Sequence, residues 1–233
     1  CCPKQMDVRS GKLDRNQVAF WNTVYENGLG EFFYRNQIDY RGLINFTPNE
    51  PGEPVFHQSD RMSPQDNVLV PVGGGKDSIV TIEKLRAEGK NVTLLRMGKH
   101  PLIDNLVEAM GLPCITVERT LDPLLFDLNE EGALNGHVPI TAYLSCLAVV
   151  VAEAAGFGQI AMSNEKSANY GNVEYLGKEI NHQWSKSEEF ETMFDTYVRT
   201  YINKNLHYGS ELRTMTELEV AKAFTAYPQY FTL

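Results

Sequence analysis

The stretch Val68-Leu69-Val70-Pro71-Val72-Gly73-Gly74-Gly75-Lys76-Asp77-Ser78 constrains the fold more than any other part of this chain. Asn67–Val72 is a short apolar, β-branched run, suited to a strand buried on both faces. Three glycines follow, then a helical pattern through Ile79, Ile82 and Leu85 that stops at Gly89. The alternation repeats downstream. Asn91–Met97 and Cys114–Val117 read as strands, with a helix over Pro101–Met110 stopped by Gly111 between them. Helices over Leu121–Asn129 and Val138–Ala155 (ended by Gly156) precede a fourth strand at Gln159–Met162. Strand–helix units of this kind predict an α/β fold: a three-layer parallel sheet with helices on both faces, joined by right-handed crossovers.

The flanks are less regular. Cys1–Asp14 is polar and unpatterned and reads as a loose terminus. Val18, Trp21, Val24 and Tyr25 predict a helix over Arg15–Asn27, with Asp14 as N-cap and Gly28 and Gly30 at its end. Phe32–Tyr34 and Tyr40–Phe46 read as short strands or edge pieces, and Pro48–Pro54 as a loop. A small N-terminal extension is therefore expected over residues 1–62, and the main domain over 63–233. From Ser185 the chain reads as mainly helical; Phe190, Met193, Phe194, Tyr197 and Tyr201 form a stripe expected to face the core. The apolar close Tyr230-Phe231-Thr232-Leu233 reads as a truncated end.

Charge narrows the function classes. Acidic residues outnumber basic ones 30 to 21, giving −9, which disfavours a grip on a nucleic-acid backbone but not on a small nucleotide. No apolar run reaches the roughly 18 residues needed to cross a bilayer, so no membrane partner is expected. Cys1, Cys2, Cys114 and Cys146 form no CxxC pair and no dense disulfide framework. The expected compartment is the cytoplasm.

The glycine bend carries the chemistry. Glycines after a buried strand let backbone N–H groups approach an anion, and the next helix adds its positive N-terminal end. Lys76 can offset phosphate charge, the Ser78 hydroxyl can donate, and Asp77 can hold Mg²⁺ or cap the helix. A Walker A loop would require Ser or Thr where Asp77 stands, and a Rossmann fingerprint a further glycine. Gly73–Ser78 instead resembles the SGGxDS loop of the PP-loop superfamily, the N-type ATP pyrophosphatases, with glycine in place of the first serine. The resemblance implies an adenine nucleotide α-hydrolase-like fold. It also implies ATP cleavage between the α and β phosphates, with Gly73, Gly74, Gly75, Lys76, Asp77 and Ser78 as cofactor-binding residues and Mg²⁺ on Asp77. Arg96, at the end of the second strand, stands where this superfamily places adenosine; an alternative role is to pair with an acceptor's carboxylate or diphosphate.

Three polar segments lie beyond the loop: Asn135–Thr141, Ser163–Asn172 and Asn181–Lys186. The second follows the fourth strand directly, the address at which open α/β sheets bind ligands. Asn135, His137, Asn164, Glu165, Ser167, Asn172, Asn181, His182, Gln183 and Lys186 are the candidate substrate-binding residues. Each has a plainer reading. His137 either caps the helix beginning near Val138 or serves catalysis, His182 is a structural or binding histidine, and Trp184 is packing.

Taken in order, Asn27–Tyr34, Pro71–Ser78, Asn135–Pro139, Ser163–Ser167 and Asn181–Lys186 resemble one PP-loop branch, the UDP-N-acetyl-α-D-muramoyl-L-alanyl-L-glutamate epimerases of bacterial cell-wall synthesis. That resemblance implies inversion of the terminal L-glutamate of UDP-MurNAc-L-Ala-L-Glu through an acyl-adenylate, with ATP and Mg²⁺ as cofactors and this small molecule as substrate. Lys76, Asp77, His137 and Glu165 are the catalytic candidates, with His182 and Glu174 behind them. The rival readings are a PP-loop enzyme adenylating another small-molecule acceptor, or a non-catalytic nucleotide-binding domain.

Overall fold

The computed structural model describes residues 11, 13–48 and 59–232. The polar terminus before Gly11, Cys1 and Cys2, most of the Pro48–Pro54 loop and Leu233 fall outside them. Helix α1 (Arg15–Gly28) begins at the expected cap. Asp14 accepts the Gln17 backbone N–H at 2.8 Å, and the Gln17 side chain accepts the Asp14 N–H at 3.0 Å. This reciprocal pair satisfies two otherwise open donors.

The aromatic segments after α1 depart from expectation. Phe32–Tyr34 forms part of helix α2 (Gly30–Arg35), and no strand forms over Tyr40–Phe46. Aromatic residues favour strands only where a sheet face is available to pack on. Here Phe33 stacks on Tyr40 at 5.5 Å, and the Phe46 N–H goes to Asn22 Oδ1 at 2.7 Å, not to a ladder.

The central pattern holds: β1 (Asn67–Pro71), α3 (Lys76–Ala87), β2 (Asn91–Met97), α4 (Pro101–Met110), β3 (Cys114–Val117), α5 (Leu124–Glu130), α6 (Ile140–Ala155) and β4 (Gln159–Met162). Helix α6 starts at Ile140, not Val138, because a residue preceding proline is biased away from helical geometry. Helix α5 likewise starts late, after Asp122 accepts the Leu124 N–H at 3.0 Å.

The last third holds more strand than expected. A hairpin, β5 (Val173–Tyr175) and β6 (Lys178–Ile180), precedes α7 (Glu188–Tyr201), β7 (His207–Ser210) and α8 (Glu217–Phe224). The sequence His-Tyr-Gly-Ser carries no strand signature. Pairing with β4, from Gln159↔His207 to Met162↔Ser210, decides it.

Among the described residues the main sheet has five parallel strands in the order β3-β2-β1-β4-β7. Alternate residues feed opposite layers. Leu69, Leu95, Ile160, Met162 and Tyr208 pack under α1, α6 and α7. Val68, Val70, Val92, Leu94 and Ala161 pack against α3 and α4. The α7 stripe does face the core, with Phe190 and Phe194 buried. No described helix is long and apolar enough to cross a membrane. The chain leaves β1 toward β2 and later returns to β4 on the other side. The loops after β1 and β4 therefore diverge, opening a crevice at the topological switch point.

Candidate active site

The glycine bend occupies that crevice, between the end of β1 and the start of α3. Gly74 has φ +82°, left-handed geometry that glycine adopts without strain. A Cβ added at Gly73 or Gly75 would meet no atom within 4 Å, so the loop surface is open to a ligand. The Gly73 N–H donates to Ser78 Oγ at 3.4 Å, tying the two ends of the loop together. Lys76 Nζ lies 3.0 Å from Asp77 Oδ1 and 3.7 Å from Glu217 Oε1. Burial alone would lower the Lys76 pKa. The Asp77 carboxylate, with Glu217 and Glu165 beyond it, outweighs burial and raises it, so the ammonium stays charged.

The loop after β4 faces this bend. Ser163 Oγ is buried without a hydrogen-bond partner. Asn164 is held by its backbone: its N–H donates to Ser210 Oγ at 2.8 Å, and its carbonyl accepts from the same hydroxyl at 2.7 Å. The Glu165 carboxylate takes the Ser167 N–H at 2.7 Å and a short bond from the Ser167 hydroxyl. Glu165 lies in electrostatic reach of Lys76, while Asn164 and Ser167 are tied within their own loop and to Ser210. Arg96 is held by neighbouring elements, donating from Nε to Thr116 Oγ1 at 2.8 Å and pairing with Asp104.

A second group gathers at the hairpin. The rings of His137 and His182 meet edge to face at 6.3 Å, although they stand 45 positions apart in the chain. His137 does not cap α6, whose N-cap residue is Pro139 with no side-chain cap bond. Asn172 Oδ1 accepts the His182 backbone N–H at 3.1 Å and lies 3.0 Å from its Nδ1. Gln183 Nε2 is 3.3 Å from His182 Nε2. The Asn135 carbonyl accepts from Asn36 Nδ2 at 3.0 Å, docking the His137 loop on α2. Asn181 turns the other way, latching the Ala168 carbonyl at 2.8 Å. Trp184 packs on Phe190 and donates to Glu189 Oε2 at 2.8 Å. Glu174 stands exposed on β5. A groove of about 1170 Å³ runs beside this second group, between α1 and α7. Its lining includes Glu26, Glu179, Glu188 and Glu189 against one lysine, Lys178, which pairs with Glu26, so the wall stays acidic and ill suited to a triphosphate.

A family model for the MurL N-terminal domain matches residues 1–211. The chain belongs to that family. A curated relative from Xanthomonas oryzae pv. oryzae, named UDP-N-acetyl-alpha-D-muramoyl-L-alanyl-L-glutamate epimerase, is 40% identical over 98% of this chain and 50% of its own length. Relatives of the same name from Salinispora tropica and a Micromonospora species are 39% and 38% identical over 93% and 96% of this chain. The chain spans about half the length of these relatives. Among solved structures, one described as a "predicted subunit of tRNA methyltransferase" from Methanocaldococcus jannaschii aligns at 16% identity with a TM-score of 0.42. That alignment covers 68% of this chain and 74% of that one.

Two features of this member of the MurL N-terminal domain family escape sequence reading. The first is Arg213. It pairs with Glu191 Oε2 at 2.5 Å, donates to the Lys186 carbonyl at 2.9 Å and reaches the Glu165 carbonyl at 3.5 Å. One nearly buried guanidinium thereby fixes two of the polar segments, yet no motif surrounds it. The second is Glu31, buried on α2 and paired with Arg35 at 2.7 Å. Its only sequence signal is a charge set between apolar neighbours in Gly30-Glu31-Phe32-Phe33. Among the described residues no group of three or more His, Cys, Asp or Glu is arranged to hold a metal ion.

Proposed function

We propose that this domain carries the ATP-using part of an epimerase that inverts the terminal L-glutamate of UDP-MurNAc-L-Ala-L-Glu, releasing AMP and diphosphate. The observation that carries the reading is an open glycine bend at the switch point, in a family whose curated relatives are named as this epimerase. The residues present fit a triphosphate. The bend leaves room for phosphate oxygens, α3 points its N-terminus there, and Ser163 Oγ lacks a partner. Mg²⁺ binds such sites through one or two carboxylates plus phosphate oxygens, a role that Asp77 suits.

ATP would supply the adenylyl group that converts the glutamate carboxylate to an acyl-adenylate, whose uncharged, electron-withdrawing acyl carbonyl makes the adjacent α-proton far easier to remove. The charged Lys76 steadies the departing diphosphate, and the loop N–H groups share that task. Glu165, in electrostatic reach of Lys76 and braced by Ser167, and His137, edge-on to His182, are the candidates to move the proton. Positioned acid–base groups contribute about 10²–10⁴-fold. Soluble nucleotide substrates place the reaction in the cytoplasm.

Incubation of the full-length protein with UDP-MurNAc-L-Ala-L-Glu, ATP and Mg²⁺ tests the reading. AMP and diphosphate by mass spectrometry, with D-glutamate recovered after product hydrolysis, are expected. AMP without inversion would assign another acceptor, and ATP binding without AMP would assign a non-catalytic nucleotide domain; either overturns it.

A further inference from the structure

We propose that the outer side of α6, with the cleft at its start, is the seat of the second half of the full-length protein, the length of chain that the curated relatives carry beyond the half matched here. This docking stands apart from the reaction proposed above, and its test reads contact, not turnover.

Helix α6 holds one charged residue, Glu153, among its 16. Its inner side is buried at Ala142, Ser145, Ala148, Val149 and Ala152, packed with the sheet layer of Leu69 and Ile160. Tyr143, Cys146, Leu147 and Val150 stand at i, i+3, i+4 and i+7 and form a second apolar stripe on the opposite side. Nothing among the described residues buries that stripe: Tyr143 is 48% exposed and Val150 65%. A helix that is apolar all round belongs in an interior. At 16 residues α6 is short of the roughly 20 that cross a bilayer, so protein is the covering it fits.

The uncovered surface continues beyond the helix. No residue from Gly111 to Ile140 is buried, although this stretch holds all of β3 and α5, and four of the seven α5 residues are apolar. A seven-residue helix with no buried side chain has little of its own to hold it, since isolated helices under about 12 residues are marginal in water. Where the α6 stripe begins, Arg119, Val138, Ile140 and Tyr143 meet Trp21 and Tyr25 of α1 around a cleft of about 390 Å³. Arg119 is the one charged residue among the described lining, so the segment that fits is an apolar anchor with an acidic flank. Val138 directly follows His137, and the docked half therefore borders the histidine group.

Contiguous apolar surface of this kind marks a protein contact, and length singles out the occupant. The matched family is an N-terminal domain, and its relatives are about twice as long as this chain. A half tethered to this one meets the face at an effective concentration of about millimolar, which an untethered second copy does not match.

The test places the photo-cross-linker p-benzoylphenylalanine at Tyr143 of the full-length protein and mixes unlabelled with ¹⁵N-labelled protein before irradiation. Cross-links to peptides of the second half are expected, all within one isotopic species. Val150→Lys in the same protein should lower their yield roughly 10-fold or more, because an ammonium is not buried in an apolar seam without a partner. Val150 is 65% exposed in this domain, so the domain itself accepts the lysine, and unchanged hydrogen-exchange protection of the β1 amides Val68–Val70 checks that it stays folded. Absence of cross-links to the second half overturns the proposal. Products that mix the two isotopic species overturn it by assigning the face to a second copy, and a yield that Val150→Lys leaves unmoved overturns the assignment of the α6 stripe as the seat.

Discussion

The glycine bend and the histidine group, the two ends of the proposed site, are built by opposite means. The bend is regular structure: a strand buried on both faces, a left-handed glycine and a helix start, with most of its polar capacity in backbone N–H groups. The histidine group has no continuous element beneath it. A short helix, a loop before α6 and a three-residue-strand hairpin meet there, held by side-chain bonds from Asn36 and Asn172. A backbone cradle tolerates variation in side chains but not in conformation. A side-chain cluster tolerates small backbone shifts but loses its shape with a single amide.

The largest expected effect tests the bend as a chemical site. Lys76→Ala or Asp77→Ala in the full-length protein should reduce AMP release by at least about 10²–10³-fold, as loss of a preorganised electrostatic group does. Turnover surviving both changes would leave the bend a plain strand-to-helix turn.

A second prediction concerns the link between the two ends. Replacing Arg213 with alanine leaves the mostly covered Glu191 carboxylate without its partner and frees the Lys186 and Glu165 carbonyls. A loss of about 3–5 kcal/mol in denaturant melts is expected. A loss under about 1 kcal/mol would show that the loop after β4 stands without this brace.

Conformation and access separate within the bend itself. Gly74→Ala meets left-handed geometry and should destabilise the fold by about 1–2 kcal/mol. Gly75→Ala meets no atom within 4 Å and should leave the melt unchanged while weakening ATP affinity in calorimetry. Equal effects from the two would refute the division between backbone strain and phosphate access.

The smallest effect lies at the histidine end. The Glu31 carboxyl titrates lower in the fold than its ordinary value of 4.5, so its stabilising contribution is complete above that value. It is lost as pH falls through the lower folded value. Acid melts of Glu31→Gln should lack that part of the slope, and identical slopes would remove Glu31 from the acid response.

How much was legible follows the same division. β2, α4, β3 and β4 stand at the bounds read from periodicity, because buried parallel strands and their helices carry apolar runs punctuated by glycine. The glycine bend was legible for the same reason. Phe32–Tyr34 was misread because aromatic content cannot tell a strand from a short buried helix. β7 was missed because His207–Ser210 has no apolar run of its own and becomes a strand only by pairing with β4. Asn135, His137, Asn172 and His182 stood out as polar residues in an apolar frame, but their meeting did not. Glu31 and Arg213 carried little or no local signal.

The chain's own pattern determined the layered α/β architecture and the place of the glycine bend, since both depend on local propensity and on which residues avoid water. Tertiary structure alone decided the sheet's outer strand, the pairing of His137 with His182, and the parts played by Glu31 and Arg213. Those depend on contacts between segments far apart in sequence, where burial and hydrogen-bond satisfaction act only after the layers have closed.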